Sequence, residues 1–157
     1  MIPFQHELAV LITSALPISE LRGGIPLAMF TFGFSPFKTL SISILGNMLP
    51  IIPCYIFLDR FAKILMHRFY TVNRFLTWLF ERTRRVHGDH FDYFSWAPFA
   101  LFVFVAVPLP LTGAWSGVLA AIVFGIPFRR AIPAISLGVV ASGVIILLLV
   151  SSLRIAF

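Results

Sequence analysis

Residues 16–26 read LPISELRGGIP and interrupt an otherwise apolar stretch, because residues 8–15 before them and residues 27–34 after them carry no charge. Glu20 and Arg22 are therefore predicted to lie below a membrane surface. Placing such a group inside a bilayer costs about 2.5–3.5 kcal/mol on insertion scales, so ionisable residues there are functional candidates by default. The alternative is a helix end at the membrane interface, with Arg22 reaching the lipid headgroups.

Residues 109–117, LPLTGAWSG, are a second copy of this interrupted segment. A shift of 93 places aligns Leu16, Pro17, Ser19 and Gly24 with Leu109, Pro110, Thr112 and Gly117. A shift of 92 then pairs Leu27, Ala28, Phe32, Gly33, Lys38 and Gly46 with Leu119, Ala120, Phe124, Gly125, Arg130 and Gly138. Paired, interrupted apolar segments in corresponding halves of a chain point to a transporter binding site.

The composition indicates an integral membrane protein. Of 157 residues, 59% are hydrophobic and 11% are charged, too few charges to cover a water-facing surface. The net charge of +6 comes from basic residues beside apolar segments, which is typical of topology signals and anionic-lipid contacts and argues against nucleic acid as a partner. The single cysteine, Cys54, excludes an internal disulfide. The N-terminal residues lack the basic region of a cleavable signal, so the first apolar stretch is expected to be mature structure.

Residues 7–34 and 97–126 are each predicted to form a helical hairpin that is broken at its tip. An arm of ten residues is about 15 Å long as a helix, which reaches only the midplane of a hydrocarbon core about 30 Å thick. Each segment is therefore either a re-entrant hairpin or one broken span. Residues 39–58 and 131–153 carry no charge and are long enough to cross as transmembrane helices.

Residues 59–96 are predicted to link the halves as an amphipathic helix that lies in the membrane interface, with a soluble helix packed on a core as the alternative. Its apolar residues recur every three or four positions, at Phe61, Ile64, Leu65, Phe69, Val72, Phe75, Leu76 and Leu79. A basic cluster and the sequence HGDH at residues 87–90 follow. The spacing in HGDH matches no metal site, so neither a metal nor a cofactor is predicted.

The distribution of basic residues predicts a cytoplasmic linker. If both hairpins are re-entrant, Lys and Arg divide nine to two between the faces, leaving out Arg22, and the halves form an inverted repeat. If both segments cross, the division is eight to three. Either way the linker lies on the more basic side, which is the cytoplasmic side under the positive-inside rule.

Two hairpins that enter from opposite faces would bring their tips together near the midplane. Half-helix N-termini there can hold an anion. Arg22 would anchor a phosphate or carboxylate through its fork of donors, and Glu20 would carry a proton if transport is proton-coupled. A structural ion pair between Glu20 and Arg22 remains the alternative.

The segments PISELRGGIPLA, LGNMLP and FVAVPLPLTGAWSG resemble the small multi-drug export protein family, which is in turn similar to the DedA superfamily, also called VTT. The resemblance covers nearly the whole chain and implies an all-α membrane fold with two opposed re-entrant hairpins and an amphipathic helix between the halves. It also implies proton-dependent transport or the flipping of undecaprenyl phosphate. In one departure from DedA proteins, Ala114 occupies the place in the second tip that corresponds to Arg22. The candidate substrate and proton site comprises Pro17, Ser19, Glu20, Arg22, Gly23, Gly24, Pro26, Asn47, Pro108, Pro110, Thr112, Gly113 and Trp115.

Three functions are open at this point. The first is a transporter or flippase for an amphipathic anion such as a lipid phosphate. The second is an exporter of small hydrophobic drugs, for which Glu20 supplies the acid. The third is a structural or assembly protein without transport. An enzyme is not expected, since the apolar segments contain no nucleophile with a base and no paired carboxylates. A homodimer or larger homo-oligomer in a prokaryotic inner membrane is expected, with anionic lipid headgroups at the linker.

Overall fold

A computed structural model describes residues 3–68, 90–110 and 112–156, and within these ranges every regular element is helical. The α-helices are α1 (Pro3–Ala15), α2 (Glu20–Pro26), α3 (Pro36–Met48), α4 (Ile51–Arg68), α5 (His90–Ala106), α6 (Ala114–Val123) and α7 (Phe128–Ala156). A π-helical turn, Leu27–Thr31, follows α2. The predicted all-α class is confirmed, whereas the division into two inverted repeats around a linker stays a prediction.

Two stretches are long and apolar enough to cross a membrane, Pro36–Phe61 and Phe128–Leu153, each of 26 residues. Only 28% and 44% of their most apolar windows are buried within the chain, so most of their side chains face outward. Large residues such as Phe57 and Leu148 are more than half exposed. Apolar surface of this extent indicates contact with lipid or with another subunit. Each stretch contains one of the predicted transmembrane segments, residues 39–58 and residues 131–153, respectively.

The first of these stretches is interrupted, where a single helix was predicted. Helix α3 ends at Met48 and α4 begins at Ile51. Pro50 and Pro53 have no backbone N–H, so two hydrogen bonds of a continuous helix cannot form across this point. The Cys54 N–H donates to the Pro50 carbonyl at 2.9 Å and starts the new helix.

The predicted interfacial helix over residues 59–96 has different bounds in the structure. Residues 59–68 continue α4, and residues 90–96 form the first turns of α5. Both ends of the predicted segment therefore belong to helices that extend into the adjoining apolar stretches, residues 51–58 and 97–106. Residues 69–89, which contain most of the basic cluster, lie outside the described residues.

The two ends of the first predicted hairpin lie close together. Glu7 in α1 forms an ion pair with Lys38 in α3, with 2.6 Å between Oε1 and Nζ. The Lys38 ammonium lies 4.3 Å from the centre of the Phe34 ring, and His6 stacks on Phe32 with 4.3 Å between ring centres. The start of α1 and the start of α3 therefore lie close together, whereas a re-entrant path through the membrane stays a prediction.

Close packing in the first half depends on glycines that face α1. A Cβ atom on Gly46 of α3 would lie 2.4 Å from the Leu11 carbonyl oxygen and 3.0 Å from the Cβ of Ser14. A Cβ on Gly24 of α2 would lie 1.9 Å from the Ser14 hydroxyl oxygen. A side chain at Gly46 would meet the backbone of α1, and a side chain at Gly24 would meet the Ser14 side chain, so glycine allows the close helix contact at both positions.

The second half repeats this packing with different side chains. A Cβ on Gly138 of α7 would lie 3.0 Å from the Phe102 carbonyl oxygen and 2.7 Å from the Cβ of Val105. A Cβ on Gly117 of α6 would lie 2.6 Å from a methyl group of Val105. Val105 in α5 thus occupies the place that Ser14 has in α1. The two halves share a packing plan as well as a sequence pattern.

Replacing Gly46 with alanine should lower the free energy of unfolding by about 1–3 kcal/mol, the usual cost of overpacking. The methyl group would meet the Leu11 backbone, which can move only together with α1. The midpoint of thermal unfolding in detergent measures the change. The matched control is Leu45→Ala on the exposed side of α3, which should change the midpoint much less. Equal midpoints for the two variants would contradict this account of the helix contact.

A buried hydrogen bond joins the two halves away from the tips. The Tyr55 hydroxyl in α4 donates to the Ile126 carbonyl, 2.8 Å away, in the turn before α7, and the Tyr55 ring packs edge-on against Phe128. Tyr55→Phe should destabilise the protein by about 1–3 kcal/mol because it leaves a buried carbonyl without its donor. Thermal unfolding tests this, with exposed Phe57→Leu as the control. An unchanged midpoint for Tyr55→Phe would show that water replaces the hydroxyl.

Candidate functional site

The first tip is a tight turn between α1 and α2. The Glu20 N–H donates to the Leu16 carbonyl at 3.0 Å, and the Ser19 hydroxyl donates to the Thr13 carbonyl at 2.5 Å. Glu20 has a φ of 44°, in the left-handed region that residues other than glycine seldom adopt. Strained backbone of this kind persists where the surrounding structure holds it and is common at functional sites. Here it occurs at the residue whose carboxylate reaches the second tip.

The Thr112 hydroxyl and backbone hydrogen bonds together hold the loop of the second tip. Thr112 Oγ1 accepts the Leu109 N–H at 2.9 Å and lies 2.6 Å from the Val107 carbonyl oxygen, to which it can donate. Pro108 and Pro110 have no N–H to contribute, so the threonine side chain supplies hydrogen bonds that the backbone cannot make. Helix α6 begins directly after this loop, at Ala114.

The two tips bind each other through the residues that the sequence singled out. The Trp115 N–H, in the first turn of α6, donates to Glu20 Oε1 at 3.3 Å. Arg22 Nη2 donates to the Thr112 carbonyl and lies 3.5 Å from Thr112 Oγ1. The Trp115 indole N–H donates to the Ala15 carbonyl at 3.1 Å. Both charged side chains therefore make hydrogen bonds to the second tip, across a separation of about ninety residues.

Gly113 makes room for the Glu20 carboxylate. A Cβ atom at position 113 would lie 1.7 Å from Oε2 and 2.5 Å from Cδ of Glu20, closer than nonbonded atoms can approach each other. The carboxylate thus sits against the backbone at the N-terminus of α6, where the helix dipole and free N–H groups favour negative charge. In this structure the Glu20 carboxylate occupies the N-terminus of α6.

A small cavity adjoins the paired tips. Its volume is about 10 Å³, which is space for about one water molecule. It is lined by Glu20, Leu21, Arg22, Asn47, Val105, Gly113, Ala114, Val139, Ser142 and Ile146. Asn47 is 1% exposed, and its side-chain oxygen has no hydrogen-bond partner in the described part of the chain. A buried amide oxygen without a partner is expected to bind water or a ligand.

The structure brings together six of the predicted site residues, Glu20, Arg22, Asn47, Thr112, Gly113 and Trp115. The others have different places. Pro17 and Pro110 are exposed, Pro108 is half-buried, Ser19 and Gly23 shape the first turn, Gly24 packs on α1, and Pro26 ends α2.

Sequence reasoning missed two contributors to this site. Ser142 lines the cavity from α7, and the Ala15 carbonyl accepts the hydrogen bond of the Trp115 indole. A serine in a long apolar helix could have been noticed as a candidate. A backbone carbonyl carries no sequence signal at all.

The family model described as "Putative small multi-drug export protein" matches residues 20–145. The match begins at Glu20, within the first tip, includes the second tip and covers most of the chain. No match was found among curated proteins or among solved structures. The two apolar spans are consistent with the membrane location that the family name implies. The chain is therefore a membrane protein that belongs to the small multi-drug export protein family.

Proposed function

We propose that the protein is a membrane transporter for an amphipathic anion, in which the anionic group of the substrate and the Glu20 carboxylate occupy the same place in turn. The observation that carries this proposal is the carboxylate of Glu20 at the N-terminus of α6, bonded to the Trp115 N–H and pressed against Gly113. A site that holds a carboxylate in this way has the donors and the space to hold a substrate carboxylate or a phosphate oxygen.

Arg22 supplies the second element of an anion site. Its guanidinium carries five N–H donors, and the hydrogen bonds to Thr112 engage only one of its terminal nitrogens. An arriving phosphate can pair with the remaining donors through a bidentate contact. Protonation of Glu20 removes the charge that holds its side chain at the helix N-terminus, so the same place becomes available to the substrate. One proton taken up for each anion bound would couple transport to a proton gradient.

The membrane arrangement of this proposal is an inverted repeat of two re-entrant hairpins, as in the DedA superfamily that the sequence resembles. The shared packing of Gly24 and Gly46 with Gly117 and Gly138 supports a repeat, and the ion pair of Glu7 with Lys38 supports a re-entrant first hairpin. By that resemblance the substrate is a lipid phosphate such as undecaprenyl phosphate, with its tail in lipid. The proposal places the protein in a prokaryotic inner membrane as a homo-oligomer, with a cytoplasmic basic linker, and assigns it no enzymatic reaction.

Export of a hydrophobic drug is the second candidate, and the family description favours it. A cavity of about 370 Å³, within the range of drug-binding pockets, is lined by apolar residues, namely Ala97, Ala100, Leu101, Phe104, Ala120, Phe124 and Ile126. Glu20 does not line this cavity. At the paired tips a cationic drug would pair with the Glu20 carboxylate, whereas an anion would replace it. The two candidates therefore predict opposite effects of charge at Glu20 and Arg22.

The proposal is tested with purified protein in vesicles that contain undecaprenyl phosphate. A phosphatase added outside releases phosphate from the outer leaflet only, so release beyond that fraction measures flipping. We expect wild-type protein to bring the inner-leaflet lipid to the outer leaflet. A pH gradient that is acidic on the side from which the lipid moves should accelerate this transfer. Ethidium uptake into the same vesicles tests the drug candidate. Flipping no faster than in empty vesicles, together with ethidium transport that Glu20→Gln abolishes, would overturn the anion proposal in favour of drug export.

A further inference from the structure

We propose that the interface between α1 and α3 holds a file of water molecules that conducts protons between the Glu7–Lys38 end of the first hairpin and Glu20. This inference deepens the proposed function, since it gives Glu20 a route for its proton. It rests on a row of four buried polar side chains, Ser14 in α1 and Thr39, Ser43 and Asn47 in α3, which is called the polar row below.

The members of the polar row lack hydrogen bonds. Each residue is at most 1% exposed, and in the described part of the chain no partner is found for the three hydroxyl oxygens or for Asn47 Oδ1. A buried polar atom that stays unpartnered costs about 1–3 kcal/mol. Ordered water is the usual partner of such groups.

Other serines in the same bundle show that this is not the normal state of a helical hydroxyl. Ser41 in α3 donates to the Phe37 carbonyl at 2.9 Å, and Ser152 in α7 donates to the Leu148 carbonyl at 2.9 Å. Each hydroxyl returns to the carbonyl four residues earlier, which is the standard solution for serine in an apolar helix. The hydroxyls of the polar row do not do this, so they remain available to water.

The spacing of the polar row suits a continuous file. Thr39, Ser43 and Asn47 are four residues apart, so their Cβ atoms are about 5–6 Å from one another along one face of α3. One water molecule between each pair can bond to both neighbours. The row spans eight residues, or about 12 Å, which is much of the depth from a membrane surface to the midplane.

Ser14 closes the row from the opposite helix. A Cβ atom on Gly24 would lie 1.9 Å from the Ser14 hydroxyl oxygen and 3.4 Å from the Ser43 hydroxyl oxygen, so both hydroxyls lie beside Gly24. Asn47 then lines the cavity that also contacts Glu20. The row therefore ends at the carboxylate that the proposed function requires to gain and lose a proton.

Charged groups lie at both ends of the row and not between them. His6 and Glu7 of α1 and Lys38 of α3 lie at the outer end, where Glu7 and Lys38 are partly exposed. Glu20 and Arg22 of α2 lie at the inner end. Helix α7, which also packs on α3, has no ionisable residue between positions 131 and 153. A proton that enters at the outer end thus meets no other acceptor among these helices before Glu20.

The second half of the chain provides an internal control. The shift of 92 pairs Thr39, Ser43 and Asn47 with Ala131, Ile135 and Val139, and Val105 occupies the packing place of Ser14. All four counterparts are apolar and at most 1% exposed. The same helix packing is therefore achieved without polar groups, so packing alone does not explain the polar row. Its presence in the half that carries Glu20 indicates a function in proton access.

The test measures water access to single cysteines in the full chain, with Cys54→Ala as background. Ser14→Cys and Ser43→Cys are compared with Val105→Cys and Ile135→Cys, their counterparts in the second half. Silver ions, small enough for a file of water, are added to reconstituted vesicles, and the remaining thiols are counted after denaturation. Since the thiolate is the reactive form and requires water, we expect the first pair to react at least about tenfold faster.

Thermal unfolding of each variant checks that the reaction rates are measured on folded protein. If one of Ser14→Cys and Ser43→Cys does not fold, the other alone is compared with its counterpart. Equal reaction rates in the two halves would overturn the proposal. The result is independent of the substrate. Faster reaction at Ser14→Cys and Ser43→Cys without flipping of undecaprenyl phosphate would support the water file and exclude the lipid phosphate as substrate. Flipping of undecaprenyl phosphate without the difference in reaction rate would overturn the water file and keep the lipid phosphate as substrate.

Discussion

Replacing Gly113 with alanine should slow transport strongly although every charged group of the site is unchanged. The added methyl group would lie 1.7 Å from Glu20 Oε2, so the carboxylate must leave the N-terminus of α6. Loss of one hydrogen bond to a buried charged group costs about 1–3 kcal/mol, which corresponds to a fall in rate of roughly 5- to 150-fold if the contact forms in the transport cycle. The rate of undecaprenyl phosphate exposure in vesicles measures the effect.

Two further variants make this prediction specific. Ser116→Ala, in the same turn of α6, removes only a hydroxyl that donates to the Gly113 carbonyl at 3.2 Å, and it should transport like the wild type. Combining Gly113→Ala with Glu20→Asp shortens the acidic side chain by one methylene and should restore part of the activity. Wild-type transport by Gly113→Ala alone would show that Glu20 does not need its place at the helix N-terminus.

Replacing Arg22 with glutamine should reduce flipping of undecaprenyl phosphate by at least about tenfold, the effect of losing one charge-assisted hydrogen bond of about 1.5–3 kcal/mol. Arg22→Lys should recover part of the loss, because the lysine keeps the charge but not the planar fork. If the substrate is a cation, the same change removes a repulsive charge, and ethidium transport should rise.

The matched control for Arg22 is Arg60→Gln, an exposed cation in α4 away from the tips. It should leave both transport rates unchanged. A purely structural role for Arg22 predicts a different pattern, in which Arg22→Gln lowers the midpoint of thermal unfolding and Arg22→Lys restores stability and activity together. Full activity of a stable Arg22→Gln protein would remove Arg22 from the substrate site.

Much of the fold was predictable because it depends on local properties of the chain. Uncharged stretches of twenty or more residues identified both spans, and the two tip sequences identified the breaks between the short helices. The residues at which individual helices begin and end were less predictable. The interruption at Pro50 was missed because the span was identified from its length and lack of charge, and the structure has different bounds for the linker because α4 and α5 extend across its ends.

The candidate site was predictable in its members but not in its connections. Glu20 and Arg22 were singled out because charge is rare in apolar segments, and Gly113 and Trp115 because they lie in a motif that resembles the family. Their pairing across the two tips required three-dimensional proximity, which no local pattern encodes. Of the polar row only Asn47 was predicted, because serine and threonine are common in membrane helices, and only burial without hydrogen-bond partners distinguishes Ser14, Thr39 and Ser43 from Ser41.

The sequence by itself determined the class of the protein, its two long spans, its two broken tips and the charged residues placed within them, because hydropathy and helix breaking act over short distances along the chain. Only the tertiary structure decided that Glu20 fills the N-terminus of α6 and that Arg22 bonds to Thr112. These contacts arise when glycines let the helices approach closely, and close approach depends on the packing of both halves at once. The chemistry of the site therefore lies in the contact between the halves.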